Sequence, residues 1–287
     1  MDDIKIIAAF CIIEDTLRHL GHKTHYLAGV TDAEVLLVAV VSSMYFHNHH
    51  ERTLFVMKGL RYLTKPLSIS RFSRRLHALA HWLEQLVELI GQLFAKGEVF
   101  IIDSMPVPMC QYARAGRCKK MNAITNPDGK AYFGICISKK WHFYGWRLHL
   151  VCTQDRVPVA FQLLPASWHD LTPVRNLTVG LPEGASVYAD KAYVSAPMKE
   201  ELMTKVADTD MPRIQMVTYK RANMKQKNTQ EERWWLKKYR GRIETANSQL
   251  ENMGIQRLHA RTNQGLAIKV LSSILALVCT NLSLSSY

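Results

Sequence analysis

Residues 99–108 read VFIIDSMPVP: four apolar residues run into an acid and then into two prolines. An apolar run of this length, with Gly97 before it and Pro106 and Pro108 after it, is the pattern of a buried strand ending in a turn. Asp103 then lies where a core strand surfaces. A carboxylate does not stay ionised in an apolar interior without a partner, so an acid at the mouth of such a strand calls for a cation, a hydrogen-bond donor or a metal. Taken alone it reads first as an ordinary capping aspartate at a strand end. Two later stretches, SVYADKAY and YRGRIETANSQLE, bear on that choice.

The remaining pattern is helical before this strand and mixed after it. IKIIAAFCIIEDTLRHLG is apolar at a helical period and stops at Gly21. Thr31, with Glu34 three residues on, forms a capping box that opens a second helix. A third covers residues 52–63 and is ended by Pro66, and Ser68 or Ser70 caps a long amphipathic helix reaching about Phe94. Beyond the Asp103 strand, FYGWRLHLVCT and VPVAFQLLPA alternate as two strands of a hairpin joined across residues 154–156. In SWHDLTPVRNL, Asp170 is placed as a helix cap. SVYAD is a second short buried strand ending in an acid, residues 196–206 a helix, RIQMVTY a strand, and residues 230–253 a long helix. This order predicts an α/β fold, a mixed sheet flanked by helices, behind an all-helical N-terminal region. The expected division is an all-helical region over residues 1–96 and the mixed-sheet domain over residues 97–287.

The chain holds 37 Lys and Arg against 24 Asp and Glu, a formal charge of +13. Such a surplus suits a polyanionic partner, nucleic acid or an anionic membrane. Membrane is the weaker candidate. The start, MDDIKIIAAF, has acids where a signal peptide carries a basic segment, and no stretch reaches the ~18 uninterrupted apolar residues of a spanning helix. A cytoplasmic protein that binds DNA and no membrane is the expectation. Within the apolar C-terminal stretch GLAIKVLSSILALVCTNLSL, Lys269 is an interruption, and packing across the catalytic sheet or at a dimer interface is expected of it.

Basic residues cluster in two places. Arg71, Arg74 and Arg75 fall in the first turns of the helix capped by Ser68 or Ser70, as in a helix-turn-helix whose recognition helix presents its N-terminal residues to the major groove. The same arginines equally suit a solvated basic face. Residues 105–140 form a long, irregular stretch with Arg114, Arg117, Lys119, Lys120, Lys130, Lys139 and Lys140, read either as a contact to phosphates or as a solvated insertion. The six cysteines include no CxxC pair and read as free thiols. Cys110, Cys118, Cys136 and His142 match no common zinc spacing, and HNHH at residues 47–50 reads as a polar helix junction.

Asp103 ending the first strand, Asp190 ending the fourth and Glu244 on the closing helix together resemble the DDE set of RNase H-like transposases and integrases. The strings IIDSMPVP, YGWRLHL, SWHD, ADKAY and RGRIET sharpen the likeness, which is strongest over residues 100–261. They are similar to bacterial insertion-sequence transposases, most closely the family numbered nine-eight-two. The interval from Asp190 to Glu244 holds a helix, a strand and a short basic loop, with no room for an inserted domain. One departure stands out: related families carry a lysine seven residues after the glutamate, where this chain has Glu251, and Tyr239 is out of register with their pattern.

The resemblance implies a DNA transposase that acts as a homodimer on DNA, with water making the first nick and the freed 3′-hydroxyl attacking target DNA in the same site. In-line phosphoryl displacement of this kind is served by two divalent ions about 3.5–4 Å apart, held by hard carboxylate oxygens. Magnesium is the expected ion, with manganese able to substitute. Asp103 is then the ligand shared by both ions, and Asp190 and Glu244 each complete one site. Lys191 adjoins Asp190, and Arg240 precedes Glu244 by one helical turn, placed to orient it or to clamp the scissile phosphate. Arg147 and His149 share one strand face and line the groove or pack at a sheet edge. Trp141, Trp146 and Trp168 are candidates for stacking on an unpaired end, with core burial as the alternative. Two rival functions share these residues: a domesticated DNA-binding protein without turnover, and a nuclease that cuts without strand transfer.

Overall fold

In the computed structural model, which describes residues 1–118, 130–136, 139–203, 213–220 and 227–282, the apolar run becomes strand β1, Val99–Gln111. It therefore continues well beyond Asp103 and through both prolines. Pairing explains how. β1 is antiparallel to β3 (Trp141–Thr153) along its whole length, but its other edge is parallel to β5 (Ser186–Ala189) only as far as the pair Ile102 and Ala189. From Asp103 onward that second edge is unpaired by β5, and proline, which has no N–H to give a ladder, is tolerated there. Gly145 lies opposite Pro108, where a Cβ would come within 2.5 Å of the Val107 carbonyl oxygen.

The other strands extend the sheet on either side. β2 (Phe133–Cys136) and β4 (Pro158–Pro165) pair with successive parts of the outer edge of β3, and β6 (Gln215–Thr218) is parallel to β5. The order β2-β3-β1-β5-β6, with β4 also on β3, gives the expected mixed sheet flanked by helices. β2 lies inside the stretch expected to be irregular. One face of the sheet builds an apolar core from Phe100, Ile102, Val151 and Val187 against α6 (Val174–Thr178) and α7 (Ala196–Met203). This sheet belongs to a compact unit formed by Gly91–Ser248.

A second unit comprises Met1–Ile90 and Gln249–Tyr287. It holds α1 (Asp3–His19), α2 (Asp32–Phe46), α3 (His50–Gly59), α4 (Ile69–Ala78) and most of α5 (Ala80–Phe94). The single long helix expected after Ser68 is interrupted at Leu79, and Ser68 rather than Ser70 is its cap, accepting from the Arg71 N–H. The capping box forms as expected: Thr31 Oγ1 accepts from Glu34 N at 3.1 Å and Glu34 Oε2 accepts from Thr31 N at 2.6 Å. Glu34 is only 4% exposed, and Thr64 satisfies it further through its N–H and its hydroxyl.

The C-terminal stretch departs from expectation. α9 (Asn263–Leu282), expected to belong with the catalytic sheet or a dimer interface, packs against α2 within this helical unit. It is also long and apolar enough to cross a membrane by composition, despite Lys269, yet 72% of its most apolar window is buried. Lys269 Nζ donates to the Leu258 carbonyl at 2.6 Å, which lets a cation sit within an apolar helix. α2 is apolar all round and needs a cover on every side, and α9 supplies one.

Asn48, 2% exposed, ties these helices together. Its Nδ2 donates to the Met253 carbonyl at 3.0 Å and to Ser273 Oγ at 3.1 Å, and its Oδ1 accepts from Ser43 Oγ at 3.0 Å. Its backbone is left-handed, φ 63°. Asn48→Ala is expected to lower the unfolding free energy by about 3 kcal/mol, combining orphaned buried polar groups with a Cβ residue held left-handed without local bonding. Asn48→Gly should cost less, because only the hydrogen bonds go. Denaturant titration of both variants checks this, and equal midpoints for Ala and Gly would refute the backbone share.

Candidate active site

The parallel pair β1–β5 ends at Ile102 and Ala189, and the next residue on each strand is an aspartate. Asp103 and Asp190 therefore stand side by side just past the end of the parallel pairing, Asp190 at the carboxyl end of β5 and Asp103 within β1, which runs on beside β3; the carboxyl ends of parallel strands are where open α/β sheets bind ligands. The long helix α8 (Gln230–Asn252) supplies the third acid. Its buried residues, Leu236, Tyr239, Ile243 and Ala246, recur every three or four positions and form one stripe. Arg240 and Glu244 each follow a stripe residue and so flank it. Tyr239, out of register with the related families, is a core residue here, with its ring 4.5 Å from that of Tyr188. Arg242 adds a bond from α8 to Asp155 Oδ1, in the β3–β4 turn, at 3.4 Å.

Asp103, Asp190, Arg240 and Glu244 line one cleft, floored by Ile101, Tyr188, Leu236 and Ile243, with a volume of about 40 Å³. The three acids differ in environment. Asp103 is deeply set: burial above all, and then the charges of Asp190 and Asp170, push its pKa from 3.8 up to about 6. Two donors act against that shift, Ser104 N to Oδ1 at 2.8 Å and Asn247 Nδ2 to Oδ2 at 2.8 Å. Asp190 and Glu244 are about half exposed, and Arg240 stands between them, its Nη1 4.0 Å from Asp190 Oδ1 and its Nε donating to Glu244 Oε1 at 2.8 Å. Lys191 donates its backbone N–H to the Asp190 carboxylate, and its side chain is exposed.

Carboxylates from three separate elements are hard oxygen donors of the kind magnesium or manganese takes. The most buried of them also lacks a countercharge, so the donor set fits a divalent cation in kind. Among the described residues no three Asp, Glu, His or Cys side chains converge closely enough to hold an ion, and the guanidinium of Arg240 provides the positive charge between two of the acids.

Several expected residues lie elsewhere. Ser104 faces the opposite side of β1 from Asp103, and Arg147 and His149 share that side. Arg147 Nη1 donates to Ser104 Oγ at 3.3 Å and Nη2 to the Ile135 carbonyl at 3.2 Å. His149 has no exposed surface, so its ring does not reach solvent, and burial lowers its pKa against the pull of Asp170, 3.8 Å from its Nδ1. Asp170 is no helix cap: it accepts from Ser104 Oγ at 2.7 Å, whereas Pro173 stands at the cap of α6. Asn247 and Asp170 are the two residues missed by the sequence reading. Asn247 was in plain view three residues after Glu244 on the same helix face, and Asp170 in the SWHD string. Of the three tryptophans, Trp168 is exposed, while Trp141 and Trp146 are half-buried against Phe143 and Tyr132.

In the helical unit, Arg71 and Arg74 are exposed on α4 and line a cleft of about 580 Å³ with Lys65. Arg75 is committed to structure: its Nη1 donates to the Val30 carbonyl at 2.7 Å and its Nη2 to Asp32, just before and at the start of α2. Lys119 and Lys120 lie outside the described residues. Glu251 lines a different cleft from Glu244, and its Oε1 accepts from Gln256 Nε2 at 2.8 Å. HNHH is a helix junction, with His47 closing α2 and His49 capping α3, and none of the six cysteines, all of them among the described residues, is in a disulfide.

No curated protein matches the sequence closely enough to count as a relative. Among solved structures, the chain is similar to piggyBac transposase in a cryo-EM synaptic complex with hairpin DNA, with 10% identity and a TM-score of 0.44 over 98% of this chain and 76% of that one. Residues 94–264 match the family model described as a transposase DDE domain. That span exceeds half of the 287 residues and takes in β1, β5 and α8 with all three acids, and the chain belongs to the transposase DDE domain family.

Proposed function

We propose that the protein is a transposase that binds transposon ends, cleaves DNA phosphodiester bonds and joins the freed 3′-hydroxyl strand to target DNA, with Asp103, Asp190 and Glu244 as its catalytic acids. The observation that carries this is the gathering of the three acids, from β1, β5 and α8, into a single cleft. Divalent ions, two of magnesium with manganese as a substitute, are the cofactor these carboxylates would hold, supplying positive charge to the phosphate and lowering the pKa of the attacking hydroxyl. Asn247 fixes one oxygen of Asp103 and the Ser104 N–H the other. Arg240 holds Glu244 in place and is long enough to turn its guanidinium to the scissile phosphate, and Lys191 borders the same cleft mouth.

Binding of DNA is assigned to Arg71 and Arg74 on α4 and to Lys119 and Lys120 in the basic segment, with Lys191 and Arg240 at the cleft. We further propose that it is a bacterial insertion-sequence transposase of family nine-eight-two, working in the cytoplasm as a homodimer on DNA, a reading supported by the resemblance of its IIDSMPVP, ADKAY and RGRIET strings.

Asp103→Asn separates activity from stability. Nicking of a transposon-end duplex in magnesium should fall by at least about 100-fold, the scale of losing even a group that supports a metal ligand. A carboxyl whose folded pKa of about 6 exceeds the ordinary 3.8 favours folding fully below the lower value and loses that contribution as pH rises through the higher. At neutral pH the ionised group thus opposes folding by up to about 3 kcal/mol. The amide variant should gain stability over wild type at about pH 8 and not at about pH 3, and a variant less stable at both would refute the assignment.

On α8, Glu244→Gln should abolish cleavage, whereas Glu251→Gln should stay within about tenfold of wild type, since its side chain lines another cleft. The reverse result would mean that the wrong acid has been assigned. Within α4 the arginines should also separate. Replacing Arg71 and Arg74 by Gln should weaken DNA binding and reduce the slope of log affinity against log salt by about two. Arg75→Ala should instead lower stability by about 1–3 kcal/mol, leaving the Val30 carbonyl without its donor. Anisotropy titrations and thermal melts of the two variants read the difference.

A further inference from the structure

The helical unit carries a second basic cleft, of about 770 Å³, formed where the α2–α3 junction meets the segment that follows α8. We infer that this cleft, flanked by Arg52 and Arg257 and by the imidazoles of His47, His49 and His259, binds the phosphodiester backbone of one strand of DNA. The inference rests on the reading of the protein as a DNA transposase and adds to it a site that neither α4 nor the three acids provide.

The cleft is built rather than incidental. Asn48, buried between the lining residues His47 and His49, bonds to Met253 beside the lining residue Gly254 and to Ser273, so the two sequence-distant segments that form the cleft are tied together. Gly254, with φ 83°, packs so closely on His47 that a Cβ would approach that residue to 3.0 Å. His47 and His259 both hold left-handed backbones, φ 49° and 50°, a conformation that glycine adopts more easily. Strain of this kind, retained at side chains that remain exposed, points to a use for the side chains.

The charge and shape select the occupant. Two exposed guanidiniums and three imidazoles face one acid, Glu251, which accepts a hydrogen bond from Gln256. Guanidinium forks match phosphate oxygens. Arg52 lies with its guanidinium carbon 5.9 Å from the centre of the Phe46 ring, so an aromatic and a planar cation together offer a surface on which a base can stack. The volume is that of a ligand pocket and admits a short length of one strand. An acidic peptide would satisfy the charges but leave the stacking surface without a partner of its own kind.

The test uses the full chain and fluorescein-labelled oligonucleotides, single-stranded and duplex, titrated by anisotropy across a range of salt. Arg52→Gln with Arg257→Gln should bind single strands at least about tenfold more weakly, with the salt slope reduced by about 1.4, at 0.7 for each single-strand phosphate contact. Arg52→Lys with Arg257→Lys, which keeps both charges, should retain the slope. Unchanged affinity and slope in the Gln pair overturn the inference, as does an equal loss in both pairs, which would trace to packing rather than charge. Equal loss of a polyglutamate peptide and DNA by the Gln pair would assign the cleft to acidic protein and also overturn it. Wild-type protein that binds no DNA refutes the transposase reading and this site together, whereas wild type that binds and nicks DNA beside an unchanged Gln pair refutes the site alone.

Discussion

Taking the Asp103 carboxylate out of water is the constraint to which its surroundings answer. Desolvation favours its protonated form, and the negative neighbours Asp190 and Asp170 push the same way, while the two hydrogen bonds it accepts favour the ionised form. One donor comes from its own strand. The other has to come from α8, which fixes how that helix lies on the sheet: the buried stripe from Leu236 to Ala246 supplies the adhesion, and Asn247 at its end completes the contact with the acid. A chain selected for stability alone would replace such an acid, and its retention fits the general pattern in which a functional site carries a local penalty that the rest of the fold absorbs.

Arg240 resolves the same electrostatic problem for the outer pair of acids. Asp190 and Glu244 would repel each other across a narrow cleft, and a guanidinium between them removes that repulsion at a surface where water already screens it. The arrangement needs no burial of the arginine, which remains half exposed and free to change partners. One acid is thus buried and hydrogen-bonded on both oxygens, and two stand at the solvent-exposed rim.

Local patterns were legible in the sequence and distant pairings were not. The apolar run ahead of Asp103, the short SVYAD strand, the Thr31–Glu34 capping box and the closing helix could all be placed, because each depends on residues within a few positions of one another. The end of β1 was misjudged for the opposite reason. Pro106 and Pro108 stop a strand only if both its edges are paired, and whether β5 reaches that far depends on residues more than 80 positions away. The partner of α9 was equally invisible, since an apolar helix records that it must be covered and not by what. Glu244 could be chosen by context, but its distinction from Glu251 lies in which cleft each one lines, and a shared helical face does not encode that.

The free edge of β1 also explains the polar cluster behind the site. Past Ile102 the strand has lost β5 as a neighbour, and among the described strands only β3 continues to pair with it. Side chains take over from the ladder at that point, and they do so on both faces. Asp103 is bonded to Asn247 on the helix side, and Ser104, one residue on and pointing the other way, is bonded to Asp170 and Arg147. The peptide between Asp103 and Ser104 is thus anchored above and below the sheet, and its N–H is the very group that donates to the Asp103 carboxylate. Asp170 never reaches the cleft, but by holding Ser104 it holds the donor that orients the buried acid. That is a physical reason for an aspartate in the SWHD string that does not depend on its capping a helix.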